Sequence, residues 1–229
     1  MSSEALCAAT MPRISRLGVS ALMVDVSDTV FEHSVQQKIW SLADCLKTSA
    51  GTFSITEIVP GMNNLLVVFD PQTASSQDLQ AHILALWSRA STSQRLSREI
   101  DVPVVYGGQE GEDLVDLARG LGLTVEEVVA IHSGAQYSVA CLGGMPGFVY
   151  LSGLPGALAV PRRANPRTRV ERGAVIIGAG QAGVMPITAP SGWHILGHTD
   201  LQTFDVHADT PCLFASGDRV RFRVQEIRA

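Results

Sequence analysis

The sequence predicts an α+β protein in two parts, a sandwich of helices on a sheet followed by a barrel of short strands. Three observations predict it. The first hundred residues alternate strand-like and helix-like hydrophobic patterns. A polar run without periodicity interrupts them at residues 88–99. Beyond it, residues 143–199 hold 11 of the 21 glycines and 6 of the 11 prolines. Glycine admits backbone angles that other residues avoid, and proline fixes φ and deletes a donor. A stretch so punctuated is short strands joined by shaped turns.

In the first part, residues 21–26 read as a strand, and 36–46 as a helix with Ile39, Leu42 and Leu46 on one face. Residues 52–59 alternate, which would put Phe53, Ile55 and Val59 on one side. Residues 65–69 are continuously apolar, the pattern of a strand buried on both faces. Ser75 and Asp78 form a capping box ahead of a helix carrying Leu79, Ile83 and Leu86. The order strand-strand-helix-strand-strand-helix is ferredoxin-like in outline. The polar run places a boundary between a domain at 1–92 and one at 93–229.

In the second part, 102–106 starts a strand, and 113–119 is a short helix stopped by Gly120. Thr124 and Glu127 form a second capping box, opening a helix that ends near Gly134. Strands are expected at 137–142, 174–177, 193–196, 203–206 and 219–227. The last alternates, with Val220, Phe222 and Val224 facing in after a Gly217-Asp218 turn.

Composition limits function. Of 229 residues, 46% are apolar, enough for a real core, and the net charge of −5 argues against general nucleic-acid binding. Four dispersed cysteines (Cys7, Cys45, Cys141, Cys212) without a C-x-x-C spacing read as reduced thiols. No signal-peptide pattern and no long apolar run stand in the chain, so a cytoplasmic protein away from membranes is expected.

Gly178-Ala179-Gly180-Gln181-Ala182-Gly183 matches G-x-G-x-x-G, but Pro186 and Pro190 follow where a dinucleotide site needs a helix. A glycine turn between two strands is the better reading. The segment Pro161-Arg162-Arg163-Ala164-Asn165-Pro166-Arg167 is a proline-stiffened loop whose planar guanidinium groups suit carboxylate or phosphate. His132 ends a helix, where a cation favours the dipole. His194 and His198 lie four apart on a strand and its turn, without a third ligand at metal spacing, so no metal site is expected. Tyr150 and Trp193 are packing aromatics with polar tips.

The ordered motifs Y-G-G-Q-E-G-E-D-L (106–114), T-V-E-E-V-V-A-I-H-S (124–133), G-G-M-P-G-F-V-Y-L-S-G-L-P (143–155), P-R-R-A-N-P-R-T-R-V (161–170), G-A-G-Q-A-G-V-M-P (178–186), P-S-G-W-H-I-L-G-H-T (190–199) and G-D-R-V-R-F (217–222) resemble the B-subunit family of bacterial 5-oxoprolinase, also labelled KipI or allophanate hydrolase subunit 1. The resemblance implies a ferredoxin-like N-terminal domain and a cyclophilin-like β-barrel. It implies a homologous partner, the C-subunit, and a third hydrolase subunit, which together hydrolyse 5-oxo-L-proline to L-glutamate with ATP. It nominates Arg162, Arg167, His198 and Thr199 as catalytic candidates. Gln181, Gly180, Gly183, Trp193 and Tyr150 are the substrate-binding ones, on a rim shared with the partner. The chain departs from the family pattern at Gly144, Glu171, Arg172, Ala182, Met185, Ser191 and His198. Two other roles within the wider family are a protein that binds and inhibits a sensor histidine kinase and one half of a biotin-dependent carboxyltransferase.

Overall fold

The computed structural model describes residues 11–26, 31–90 and 97–228. The chain divides into two compact units, Met1–Gln94 and Arg95–Ala229.

The first unit contains β1 (Arg13–Leu17), β2 (Ala21–Asp25), α1 (His33–Thr48), β3 (Ile55–Pro60), β4 (Asn64–Phe69) and α2 (Ser76–Trp87). Its sheet has the order β1-β2-β4-β3, every neighbouring pair antiparallel. β2 and β3 are therefore parallel, joined through α1 and separated by β4. This is a split β-α-β arrangement, with the outer strand beside β2 supplied by β1 from the N-terminal side. Leu22 and Val24, with Leu65, Val67 and Phe69, meet Ile39, Leu42 and Leu46 of α1 and Leu79, Ile83 and Trp87 of α2. The Ser75 hydroxyl accepts the Asp78 amide at 3.3 Å, which caps α2.

Two expectations need correction in this unit. A register shift between Ile55 and Glu57 changes the phase of β3. Ile58 now shares the inner side with Ile55, and Val59 stands 40% exposed. β4 is not buried on both faces: Leu65, Val67 and Phe69 are buried, while Leu66 and Val68 are half-buried.

The second unit opens with β5 (Glu99–Gly107), α3 (Leu114–Leu121) and α4 (Val125–Gly134). There follow β6 (Tyr137–Leu142), β7 (Val149–Ser152), β8 (Arg167–Val170), β9 (Ala174–Gly178), β10 (Gln181–Val184), β11 (Ala189–Ser191), β12 (His194–His198) and β13 (Arg219–Arg228). Seven strands close into a barrel in the order β10-β7-β6-β13-β5-β12-β9. β8 and β11 form a separate two-stranded ribbon. Val102, Val104, Tyr106, Val139, Leu151, Val175, Ile177 and Phe222 pack in one core with Leu114 and Leu117 of α3 and Val128 and Val129 of α4.

Helix ends follow local chemistry. Thr124 and Glu127 complete a reciprocal capping box, the Thr124 hydroxyl accepting the Glu127 amide at 3.1 Å and the Glu127 carboxylate accepting the Thr124 amide at 2.7 Å. α3 runs through Gly120 and ends at Gly122, whose φ of 69° is left-handed. The 178–183 glycines make a β9–β10 hairpin. Gln181 faces Gly178, and Ala179 and Gly180 have φ of 52° and 78°. Two positive φ values at a two-residue turn match the twist of the flanking strands. Among the described residues no helix follows it.

Three further expectations differ. Residues 203–206 contribute only a bridge between Phe204 and Cys212. β13 buries Val220 and Phe222, but Val224 is 45% exposed, next to a register shift between Val224 and Glu226. His132 is fully buried, and burial pushes its imidazole down to about 3, so it is neutral and gives the helix dipole no cation. Cys45, Cys141 and Cys212 are free thiols, and Cys7 lies outside the described residues. No helix among the described residues is long and apolar enough to cross a membrane.

Candidate functional site

The arginine loop and the start of α3 are brought together by β12. Residues 107–113 run so close to this strand that a Cβ on Gly111 would lie 2.4 Å from the Leu196 carbonyl oxygen. Only glycine fits there, and the close approach delivers Asp113 to the barrel wall. Its amide donates to the Ile195 carbonyl at 3.2 Å, and its carboxylate Oδ2 accepts the Ile195 amide at 2.8 Å.

The Asp113 carboxylate also collects two arginines. Oδ1 accepts from Arg163 Nη1 at 2.6 Å and from Arg167 Nη2 at 2.8 Å, and Oδ2 accepts from Arg167 Nη1 at 2.8 Å. Arg167 Nε lies 2.9 Å from Glu112. The Asp113 side chain is 8% exposed. Burial alone would raise its carboxyl. Hydrogen bonds from Arg167 and the Ile195 amide, with the charges of Arg167 and Arg163, outweigh that and hold it below the ordinary carboxylate value.

Arg162, one residue before Arg163, points elsewhere. Its guanidinium lies over the Trp193 ring at 5.8 Å from the centroid. No carboxylate among the described residues is paired with it. Trp193, Phe148 and Tyr150 meet edge-to-face at centroid separations of 5.0, 5.8 and 6.1 Å. These groups line a cleft of about 310 Å³ together with Met145, Met185 and Ser191. The cleft thus has an aromatic wall and one cation free to bind an anion. Gly144, Met185 and Ser191, three positions that depart from the family pattern, line it.

The nominated residues therefore separate. Arg162, Tyr150 and Trp193 share this cleft. Gly183 lies beneath it, where a Cβ would come within 3.1 Å of the Phe148 ring. Gly180 and Gln181 belong to the β9–β10 hairpin and do not line it. Arg167 is held by Asp113 and Glu112, so its guanidinium is engaged inside the fold. Thr199 is 2% exposed, and its hydroxyl accepts the Leu201 amide at 3.2 Å, a turn-forming role. His198 lines a different cleft of about 530 Å³ with Arg172, Glu110 and Glu112. Its Nε2 lies 3.1 Å from the Arg172 carbonyl, which can only accept, so Nε2 carries the proton. His194 likewise donates through Nε2 to the Pro161 carbonyl at 3.0 Å.

Asp113 and Phe148 fall within the quoted motifs at 106–114 and 143–155, but the sequence alone does not nominate them for the site. An acidic residue opening a short helix resembles an ordinary cap, and its partners lie 50, 54 and 82 positions away. In sequence, Phe148 is only an apolar residue close to glycines.

Residues 12–214 match the family described as carboxyltransferase domain, subdomain C and D. Sandwich, barrel and match together define the class: a carboxyltransferase subdomain C and D protein. Over 210 residues the chain is 40% identical to the 5-oxoprolinase B-subunit of Escherichia coli O157:H7, covering 92% of this chain and 94% of the relative. The same-named protein of Haemophilus influenzae is 39% identical over 192 residues, covering 84% and 88%. The chain belongs to the 5-oxoprolinase B-subunit family. The crystal structure of TTHA0988 superposes with a TM-score of 0.77 at 32% identity. That match covers 90% of this chain and 40% of TTHA0988, so this chain spans well under half of that longer protein.

Proposed function

We infer that this chain is the B-subunit of an ATP-dependent 5-oxoprolinase, acting in the cytoplasm with a homologous C-subunit and a third hydrolase subunit. One observation carries the inference: the identity to a 5-oxoprolinase B-subunit extends over nearly the full length of both proteins. Relatives of that name do not favour the kinase-inhibitor or biotin-dependent readings.

The cleft suits the substrate's chemistry. 5-Oxoproline is a small planar lactam bearing one carboxylate. The free Arg162 guanidinium offers the carboxylate a planar pair of donors. Tyr150 offers the ring a half-buried aromatic wall, beside Trp193, which is 6% exposed and lies under Arg162. A lactam carbon is a poor electrophile. Transfer of the ATP γ-phosphoryl group to the lactam oxygen activates it, water then attacks that carbon, the ring C–N bond opens and phosphate leaves. The β9–β10 glycine turn lacks the following helix that a nucleotide cradle of the strand–glycine–helix kind needs. The ATP step is accordingly assigned to the complex rather than to this hairpin. Positioning and charge stabilisation are this chain's share.

The test is 5-oxoproline-dependent ATP turnover in the complex of this chain with the C-subunit and the third component. Turnover is expected only when all three are present. Arg162→Ala is expected to raise KM for 5-oxoproline by about ten-fold or more, the loss of a charge-assisted contact. A complete complex that turns over ATP regardless of 5-oxoproline would overturn the reading.

A further inference from the structure

We propose that Asp113 is a positioning residue for the Arg162 cleft: its single carboxylate engages the guanidinium groups of Arg163 and Arg167, leaving Arg162 as the unpaired cation presented beside Trp193. The proposal rests on the reading of that cleft as the ligand-facing part of the chain.

Three observations carry it. First, the carboxylate is saturated. Its two oxygens accept four hydrogen bonds, from Arg163 Nη1 at 2.6 Å and from Arg167 Nη2, Arg167 Nη1 and the Ile195 amide at 2.8 Å each. A carboxylate offers about four acceptor positions, so none is left for Arg162. Second, Asp113 ties both borders of the cleft. On one side it holds Arg163, whose amide donates to the Gly192 carbonyl at 2.8 Å, and it holds Arg167 just beyond Pro166. On the other side it pairs with Ile195 through both amide and carboxylate, two residues beyond Trp193. Arg163, Pro166, Gly192 and Trp193 all line the cleft. Third, the charges are sorted. Arg163 and Arg167 are 31% and 19% exposed and ion-paired. Arg162 is exposed and rests on an aromatic face instead. An incoming anion therefore meets one free guanidinium rather than three competing ones.

A carboxylate that only stabilised the barrel would have no reason to control ligand affinity separately from folding. The separating experiment uses the reconstituted complex for kinetics and thermal melting of this chain for stability. Asp113→Asn is expected to lower Tm and to raise KM for 5-oxoproline by about ten-fold, with kcat within about three-fold. The double variant Asp113→Asn with Arg163→Met removes one negative and one positive charge together. It is expected to recover most of the lost Tm while KM stays at least about five-fold raised, because the tether on the loop is gone. KM returning to the wild-type value together with Tm would overturn the positioning role. A wild-type KM in Asp113→Asn beside a raised KM in Arg162→Ala would overturn it too, and leave the cleft reading standing. An unchanged KM in Arg162→Ala would instead sink the cleft reading itself.

Discussion

Asp113 and His132 are both ionisable side chains buried in the barrel unit, and they end in opposite states. Asp113, 8% exposed, stays charged because two guanidinium groups and an amide converge on it. His132, fully buried, has the Tyr106 hydroxyl 2.8 Å from Nδ1 and, among the described residues, no partner at Nε2, and it lies tilted against Phe222 at a 4.4 Å centroid separation. With no counter-charge, burial alone decides, and the imidazole is neutral. Depth alone does not set the state of a buried ionisable group. The neighbours that arrive with it do.

Removing the carboxylate has the largest expected effect. Asp113→Ala leaves the Arg163 and Arg167 charges without their main partner. Urea unfolding of this chain is expected to show a loss of about 3–5 kcal/mol, the cost of breaking a buried charge pair on one side. A loss under about 1 kcal/mol would mean that water compensates the arginines and that the site is wetter than its packing indicates.

His132 makes stability depend on pH. Its folded value is depressed to about 3, against an ordinary histidine value of about 6.5 in the unfolded chain. Between those values the unfolded chain binds a proton that the folded chain refuses. Stability contributed by the neutral imidazole is therefore complete above about pH 6.5 and falls as pH drops toward 3, by roughly 4 kcal/mol from this group. Asp113, whose carboxyl is lowered, contributes stability that is complete above the ordinary carboxylate value and is lost as pH falls through its depressed one. Unfolding free energy measured from pH 7 to pH 4 should decline, and His132→Phe should flatten that decline. An unchanged slope in the variant would remove His132 from the account.

The smallest expected effect is a control at the surface. Arg119 and Asp116 form an ion pair at 2.6 Å, but both side chains are more than 70% exposed. Arg119→Ala should leave Tm within about 1 °C of wild type, since exposed pairs gain little over their solvated state. A larger drop would blur the distinction between buried and exposed pairs drawn from Asp113.

What can be read from the sequence is local. The Ser75 and Thr124 caps depend on residues three positions apart, and both occur in the structure. The 178–181 turn follows from glycine chemistry and the prolines behind it. The phase of β3 is not legible, because an irregularity between Ile55 and Glu57 leaves no signature in alternation. The arginine loop is legible as a cationic, stiffened segment, but not how its members divide. Arg162, Arg163 and Arg167 look equivalent in sequence, and only a carboxylate some fifty positions upstream distinguishes them. The state of His132 escapes sequence for the same reason: its helix end faces the core, and Phe222, which covers it, is 90 positions away.

The parallel pairing of β13 with β5 has a consequence for synthesis. Glu99 faces Arg219 and Gly107 faces Arg228, mates separated by about 120 positions. A ribosome must therefore pass residue 219 before the cylinder can zip shut. Until then the nascent chain carries β5 with one bare margin, while the first unit already has every strand it needs. Closure waits on β13, and a polypeptide halted before that seam would expose a ready template for unwanted strand pairing.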